Sequence, residues 1–194
     1  MRLRVFISTL KVDPLTWLQP CGNPRLMDIG TKTARAPEIY GDFWFNSNPL
    51  ALSALRGQVV LIDFWDYTCV NCLRTIPYLI EWHSRYRDYG LVAIGVHTPE
   101  FSLARDPEAV ERAIKRLGIS YPVVTDNEFL IWSGFANRAW PTKYLIDRDG
   151  YIRYAHVGEG NYGATERMIQ ALLVEAGYHG DLPILMDPIR DTDR

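Results

Sequence analysis

The sequence predicts an α/β fold in which a mixed central sheet is flanked by helices on both faces. Near-continuous apolar runs of strand length alternate with longer segments of helical periodicity along the middle of the chain. Two further strands follow one another across the turn Asp147-Arg148-Asp149-Gly150, which predicts an antiparallel hairpin. The 194 residues, 47% of them hydrophobic, are enough to bury one substantial core.

The chain divides into an irregular N-terminal arm at residues 1–36, a folded domain at 37–177 and a C-terminal tail at 178–194. Prolines and glycines without a sustained hydrophobic period mark the arm. Directly after it, the apolar residues that follow Asp42 surround an Asn-rich turn. This pattern predicts an N-terminal hairpin of two short strands.

The central strand of the sheet is predicted at Val59–Trp65. One acid, Asp63, interrupts an otherwise apolar run, and such a run is typical of a strand that is covered on both faces. Residues 70–88 then repeat apolar positions at helical spacing, which predicts a helix directly after this strand.

The remaining elements follow from local signals. A second apolar strand covers residues 91–96, and Asp106 followed by Pro107 marks the start of a helix that ends near Gly118. The later elements are a strand at 121–124, a short helical stretch at 129–136, the hairpin strands at 143–146 and 151–157, and a helix at 163–176.

The composition excludes several classes of function. Lys and Arg number 21 against 23 Asp and Glu, and the basic residues are scattered, so we expect no nucleic-acid partner. No window approaches 18 consecutive apolar residues, and the first residues form a poor signal peptide. We therefore expect no transmembrane segment and a cytoplasmic location. We also expect a monomer. Three cysteines are too few for a disulfide-stabilised secreted scaffold.

Cys69 and Cys72 form a Cys-x-x-Cys pair between the central strand and its helix. The first thiol lies among the unpaired N–H groups of the helix start, which favour a thiolate, and the second lies one turn further in. This placement predicts a nucleophile and a resolving cysteine. Half a zinc site and a pair of inert cysteines are the alternatives. Zinc needs two further ligands, and neither the distant Cys21 nor the four histidines show ligand spacing, so we expect no metal and a spectator role for Cys21.

Several motifs in combination resemble the thioredoxin superfamily. They are Ile62-Asp63-Phe64-Trp65, the Cys-x-x-Cys pair, Pro77 and Trp140-Pro141-Thr142. The segment from Thr98 to Tyr121 resembles the insertion of TlpA-like thiol:disulfide oxidoreductases. The motifs that resemble the thioredoxin-like domain of DipZ proteins are Phe64 to Arg74, Gly95 to Glu100 and Gly158-Glu159-Gly160. The resemblance covers residues 40 to 176.

This resemblance implies a thioredoxin fold with a TlpA-like strand-helix insertion, and an enzyme that exchanges dithiols with disulfide-containing protein substrates. The disulfide between Cys69 and Cys72 would be its redox centre, with no other cofactor. Asp63 would lie beneath Cys72 and accept its proton; the alternative is an acid at a partly wet strand end. Pro141 would be cis and face the dithiol, where the backbone before it pairs with an extended substrate segment.

The resemblance also implies further residues around the dithiol. Trp140, Trp65 and Asn71 would contact the substrate, with core packing as the alternative for Trp140. His97 ends the second strand and would lie at the same sheet edge as the dithiol without contacting substrate. Asp66, three residues before the first cysteine, is expected to be exposed, and its charge would oppose a thiolate.

Some positions depart from these families. Thr68, Val70 and Asn71 stand where thioredoxins usually carry Trp and Gly-Pro, and Thr75 stands where several TlpA-like reductases carry Glu. The membrane-embedded electron-transfer part of DipZ proteins is absent from this sequence. We therefore expect a separate electron donor, either a thioredoxin-type protein or a membrane thiol carrier. Members of this family are more often extracytoplasmic.

Two rival functions are a thioredoxin-like peroxidase and a non-enzymatic copper-delivery protein of the Sco type. Peroxiredoxins carry P-x-x-x-[ST]-x-x-C, but Ile62 and Asp66 occupy the Pro and Ser/Thr positions here. Sco proteins have three residues between their cysteines, and this chain has two. The sequence therefore favours reduction of protein disulfides, with Cys69 attacking and Cys72 resolving.

Overall fold

Residues 32 and 34–193, which the computed structural model describes, form a seven-stranded mixed sheet with helices on both faces. The strands are β1 (Ala34–Arg35), β2 (Trp44–Phe45), β3 (Val59–Trp65), β4 (Leu91–His97), β5 (Val123–Thr125), β6 (Thr142–Ile146) and β7 (Tyr151–Val157). The helices are α1 (Val70–Tyr86), α2 (Pro107–Leu117), α3 (Leu130–Gly134) and α4 (Tyr162–Glu175). The strand order is β1-β7-β6-β3-β4-β5-β2.

The strand β3 lies at the centre of the sheet, parallel to β4 and antiparallel to β6. All seven of its residues are buried, which confirms the prediction of a strand covered on both faces. Its register places Asp63 opposite Gly95 on one side and opposite Lys143 on the other. The predicted hairpin is also confirmed, because β6 pairs with β7 in antiparallel fashion.

The side chains of β3 alternate between two hydrophobic cores. Leu61 and Trp65 pack into the core that α1, α2 and α4 cover, whereas Ile62 and Phe64 pack into the core of α3 and the 3₁₀ helix Leu52–Leu55. Because side chains alternate along a strand, Asp63 faces the same side as Leu61 and Trp65. The buried acid therefore lies on the face that α1 covers, and α1 carries the dithiol.

The predicted signals for the helix in the insertion are confirmed. Asp106 is the N-cap residue of α2 and accepts a hydrogen bond from the backbone N–H of Glu108, while Pro107 occupies the first helical position. Gly118 ends the helix in the left-handed conformation at a φ of 68°. In the part of the chain that the structure describes, no helix combines the length and the apolar character needed to cross a membrane.

The prediction of an N-terminal hairpin is wrong. Trp44 and Phe45 form β2, which pairs with β5 at the edge of the sheet opposite β1. The residues after the Asn-rich turn form no second strand of a hairpin; Leu52–Leu55 form a 3₁₀ helix. Asn46 explains the difference. It adopts a φ of 61°, and its side-chain amide donates hydrogen bonds to the backbone carbonyls of Ile119 and Tyr121. The turn is therefore anchored to the segment before β5 instead of folding back on itself.

The described parts of the arm and the tail contact the predicted domain at several points. Ala34 and Arg35, which the sequence assigns to the arm, pair with β7, while residues 1–31 and 33 of the arm lie outside the described residues. The tail lies along α1 and α4. The Tyr78 hydroxyl accepts a hydrogen bond from the Ile189 N–H at 2.7 Å and donates one to Asp193.

Replacing Asn46 with alanine should lower the free energy of unfolding by about 3 kcal/mol. Two hydrogen bonds worth about 1 kcal/mol each are lost, and alanine tolerates a positive φ less well by about another 1 kcal/mol. Asn46→Gly keeps the backbone freedom and should lose about 2 kcal/mol. Urea unfolding followed by tryptophan fluorescence measures both changes. Equal stability of the three proteins would show that Asn46 does not anchor this segment.

Candidate active site

The dithiol occupies the first turn of α1, and its two cysteines are joined as a disulfide with a Cα–Cα distance of 5.2 Å. Cys69 is the N-cap residue, in an extended conformation, and its Sγ accepts a hydrogen bond from the backbone N–H of Cys72 at 3.2 Å. Cys69 is half-buried, whereas Cys72 is completely buried. The structure therefore gives the two sulfurs different access to an incoming reactant.

This position favours negative charge on Cys69. The N-cap sulfur lies at the positive end of the helix dipole and next to backbone N–H groups that have no carbonyl partner within the helix. In the reduced protein these groups lower the free energy of a thiolate relative to a thiol. Cys72 faces the core, so its thiol is screened from solvent.

Asp63 is completely buried, so the alternative of an acid at a partly wet strand end is wrong. Neither of its carboxylate oxygens has a hydrogen-bond partner among the described residues. Burial raises the pKa of the Asp63 carboxyl to about 7, and the charge of Lys143 opposes this increase. A buried carboxyl with this pKa can both accept and release a proton near neutral pH.

Lys143 is the site residue that the sequence analysis missed. It lies directly across from Asp63 on β6, it is completely buried, and its Nζ donates a hydrogen bond to the carbonyl of Gly158 at 3.2 Å. Burial lowers the pKa of the ammonium group, while Asp63 and Glu159 oppose that decrease. The available signal was a lysine inside a strand that is otherwise apolar after its first residue, Thr142.

The segment before β6 carries the predicted cis-proline, because the Trp140–Pro141 peptide is cis. Pro141 is buried, and its carbonyl accepts a hydrogen bond from the Gly158 N–H at 2.8 Å. Trp140 is partly exposed, and its indole N–H donates a hydrogen bond to the Thr98 carbonyl at 2.9 Å. Its ring packs against the Trp132 ring, with 4.1 Å between the two ring centroids. Trp140 thus connects this segment to the start of the insertion.

Asp66 is completely buried, so the expectation of an exposed acid is wrong. Its carboxylate accepts hydrogen bonds from the backbone N–H groups of Thr68 at 2.8 Å and Glu100 at 2.6 Å, and it lies 3.7 Å from the His97 ring. These partners and His97 lower the pKa of the Asp66 carboxyl below its ordinary value, although burial opposes them. Asp66 therefore connects the segment before Cys69 to the loop after β4.

The other predicted site residues divide into buried and exposed ones. Trp65 is completely buried and contacts His97 edge to face, so the expectation that it contacts substrate is wrong. Its place in an inward-facing strand position explains the burial. His97 is also buried, at the end of β4, and its ring stacks on Tyr67. Asn71 is exposed between the two cysteines, where it is accessible to a reactant.

Thr75 occupies the position where several TlpA-like reductases carry Glu. It is completely buried, and its hydroxyl donates to the Asn71 carbonyl at 3.1 Å and lies 3.4 Å from the Tyr162 hydroxyl. Among residues 32 and 34–193, no three His, Cys, Asp or Glu side chains are grouped as metal ligands. Cys21 lies outside the described residues.

The mixed sheet, the dithiol at the start of α1 and the cis-proline before β6 together define a thioredoxin-fold protein with a Cys-x-x-Cys site. The sequence model of the Redoxin family matches residues 34–173, and the chain belongs to this family. It is 44% identical over 159 residues to Protein DipZ of Mycobacterium tuberculosis, a match that covers 80% of this chain. The same match covers 22% of DipZ, so the chain spans about a fifth of that relative's length.

Shorter relatives and solved structures agree with this assignment. The chain is 30% identical over 125 residues to the thiol-disulfide oxidoreductase ResA of Halalkalibacterium halodurans, covering 64% of this chain and 65% of ResA. Among solved structures, the thioredoxin-like superfamily protein SPOA0173 matches with a TM-score of 0.69 and 26% identity. That match covers 77% of this chain and 100% of SPOA0173.

The raised pKa of Asp63 has a measurable effect on stability. An acid whose pKa is raised on folding binds its proton more tightly in the folded state, so stability is lost as the pH rises from about 4 to about 7. The free energy of unfolding of the oxidised wild type, relative to oxidised Asp63→Asn, should therefore decrease across this range and stay constant below it. Urea unfolding at a series of pH values measures the difference. A difference that does not change with pH would contradict burial of an ionisable Asp63.

Proposed function

We propose that this chain reduces disulfide bonds in protein substrates through Cys69 and Cys72. The observation that supports this proposal is the difference between the two sulfurs. Cys69 is accessible at the helix start, where a thiolate is favoured, and Cys72 is buried on the sheet face that also carries Asp63. A nucleophile, a resolving thiol and a proton acceptor are the three groups that dithiol exchange needs.

The reaction has two steps, and it begins from the reduced protein. The Cys69 thiolate attacks one sulfur of the substrate disulfide, so that a mixed disulfide forms and one substrate thiolate leaves. Cys72 then gives its proton to the Asp63 carboxylate, and its sulfur attacks Cys69. The second substrate thiolate leaves, the substrate has gained two electrons, and the protein holds the Cys69–Cys72 disulfide. This disulfide is the only redox group that the proposal requires.

The substrate is proposed to be an extended polypeptide segment next to its own disulfide. The backbone before Pro141 would pair with this segment as an added strand, and Trp140 and Asn71 would contact its side chains. The partial exposure of Trp140 and the exposure of Asn71 support these contacts. A separate dithiol protein or membrane thiol carrier would return the electrons to the disulfide.

The direction of electron flow can be measured as a reduction potential. We expect a value near that of thioredoxin, about −270 mV, because the proposed reaction donates electrons to substrates. Equilibration of the Cys69–Cys72 pair with glutathione and dithiothreitol buffers, followed by tryptophan fluorescence, gives this value. A potential near −120 mV would instead indicate a protein that oxidises the dithiols of its partners.

The roles of the two sulfurs can be tested by trapping. Cys72→Ser should accumulate mixed disulfides with substrate proteins, because no internal thiol remains to release them, and mass spectrometry identifies these adducts. Cys69→Ser is the matched control and should accumulate none. In the reduced wild type, iodoacetamide should alkylate Cys69 faster than Cys72. Equal trapping by the two variants, or faster alkylation of Cys72, would reverse the assigned roles.

A further inference from the structure

A cleft lined by basic side chains lies at the end of the sheet opposite the dithiol. It has a volume of about 760 Å³, and its walls are the segment around β1, the segment before β3 and the turn between β6 and β7. The lining residues are Lys32, Arg35, Arg56, Gly57, Arg148, Asp149 and Tyr151. Arg56 precedes β3 and Cys69 follows it, so the strand separates the cleft from the dithiol by roughly 20 Å.

Positive charge exceeds negative charge at this cleft. Its lining contains one ammonium group and three guanidinium groups but a single carboxylate, that of Asp149. The chain as a whole has a formal charge of -2, so the positive charge is a local concentration. These basic residues are far apart in the sequence. The pairing of β1 with β7 places Arg35 opposite Tyr151, next to the turn that carries Arg148.

The three guanidinium groups at the cleft are bonded to backbone carbonyls and not to acids. Each donates one hydrogen bond to a main-chain oxygen: Arg35 to that of Asp149 at 3.3 Å, Arg56 to that of Leu52 at 3.4 Å and Arg148 to that of Ala176 at 2.9 Å. Among the residues that the structure describes, none of the three forms an ion pair with a carboxylate. A guanidinium group has five N–H donors, so most of these donors remain available to a ligand.

The carboxylate at the cleft is already paired with the lysine. The Lys32 ammonium forms an ion pair with Asp149 and lies 3.6 Å from the carboxylate of Asp147. The hydrogen bond from this lysine and the charges of Arg148 and Arg35 lower the pKa of the Asp149 carboxyl below its ordinary value, although burial opposes them. The one acid of the cleft therefore leaves the three guanidinium charges without a carboxylate partner.

Two of the guanidinium groups are held in place by packing. Gly150 has a φ of 85°, and the Arg56 guanidinium occupies the space that a β-carbon on this glycine would fill. The Arg35 guanidinium lies over the Tyr151 ring, 4.5 Å from its centroid. Side chains that are already ordered lose less conformational freedom when they bind a ligand. The cleft is therefore arranged for binding before a ligand arrives.

A second cavity, at the start of α4, shows the contrast. It is also lined by arginines, among them Arg74 and Arg190. Glu159 forms ion pairs with Arg74 at 3.2 Å and with Arg190 at 3.5 Å, and Asp193 pairs with Arg190 at 2.7 Å. Acids of the protein thus neutralise these two arginines, whereas the arginines of the basic cleft have no such partner in the described part of the chain.

We propose that the basic cleft binds a phosphate group, carried either by a soluble phosphate compound or by the headgroup of an anionic lipid. The planar fork of a guanidinium group donates two parallel hydrogen bonds to the oxygens of one phosphate, and Arg35, Arg56 and Arg148 supply these forks. Four cations around one cleft suit a single phosphate group, whereas a nucleic acid needs an extended basic stripe. The site is independent of the proposed dithiol reaction, because the two lie at opposite ends of β3.

Titration with inorganic pyrophosphate at constant ionic strength tests the soluble form of the ligand. In the nitrogen-15-labelled full chain, the Nε–H signals of Arg35, Arg56 and Arg148 should shift and saturate. We expect a dissociation constant of about 1 mM, the affinity that two charge-assisted hydrogen bonds supply. Saturating shifts at these three arginines support the proposal with a soluble ligand.

Co-sedimentation with lipid vesicles tests the other source. Vesicles of phosphatidylcholine and phosphatidic acid present phosphate monoesters, whereas pure phosphatidylcholine has no net charge and is the control. Binding to the acidic vesicles alone supports the proposal with a lipid headgroup as the ligand. Binding to both pyrophosphate and acidic vesicles supports a phosphate site that either source can reach. No response to either probe would overturn the proposal.

Variants test whether the cleft is the place of binding. Arg56→Gln and Arg148→Gln should each weaken binding of the responding probe about tenfold, because a hydrogen bond to a charged group is lost. Arg116→Gln removes an exposed arginine on α2 and is the matched control, with unchanged binding. Equal binding by the three variants would overturn the proposal.

A further variant and a folding control complete the test. Arg56→Lys keeps the charge but loses the fork, so its loss of affinity should be smaller than that of Arg56→Gln. The substituted side chains are exposed, so each variant should fold. Alkylation of reduced Cys69 by iodoacetamide, at the other end of the sheet, should proceed at the wild-type rate in every variant. A loss of phosphate binding only in variants with a changed alkylation rate would overturn the proposal.

Discussion

The burial of one carboxyl group in the central strand is the constraint on which the arrangement of the site depends. Asp63 lies away from water, without a hydrogen-bond donor in the described part of the chain, so its charge is tolerated only near a compensating charge. Lys143 supplies this charge because β6 is antiparallel to β3 in a register that places the two residues opposite each other. The Gly158 backbone forms hydrogen bonds with both Lys143 and Pro141, and so connects the buried pair to the segment that carries the cis-proline.

Features with a local physical cause could be predicted from the sequence. Val59–Trp65 is recognisable as a central strand because a strand that is buried on both faces needs apolar residues at nearly every position. The start of α2 depends on neighbouring residues alone, because Asp106 caps the helix by accepting a hydrogen bond from the N–H of Glu108, two residues later. The position of Cys69 at a helix start follows from the strand and the helix on either side of it, and the family motifs added the cis-proline.

Features whose partners lie far along the chain could not be predicted in this way. Asn46 resembles a hairpin turn residue, but its amide is bonded to carbonyls more than seventy positions later, at residues 119 and 121. Asp66 would be exposed if no loop covered it, and the loop that does so begins beyond β4. Lys143 lies 80 residues after Asp63 in the sequence, and only the register of β3 and β6 places the two residues opposite each other.

The sheet ends at both sides in very short strands, and this has a consequence for association between molecules. In the described part of the chain, the edge strands β1 and β2 contain two residues each. A short edge offers few free backbone groups to another polypeptide, which is one way in which β-sheet proteins avoid edge-to-edge aggregation. The short edges of this sheet therefore leave little backbone to which an unfolded chain or a second copy of the protein could add a strand.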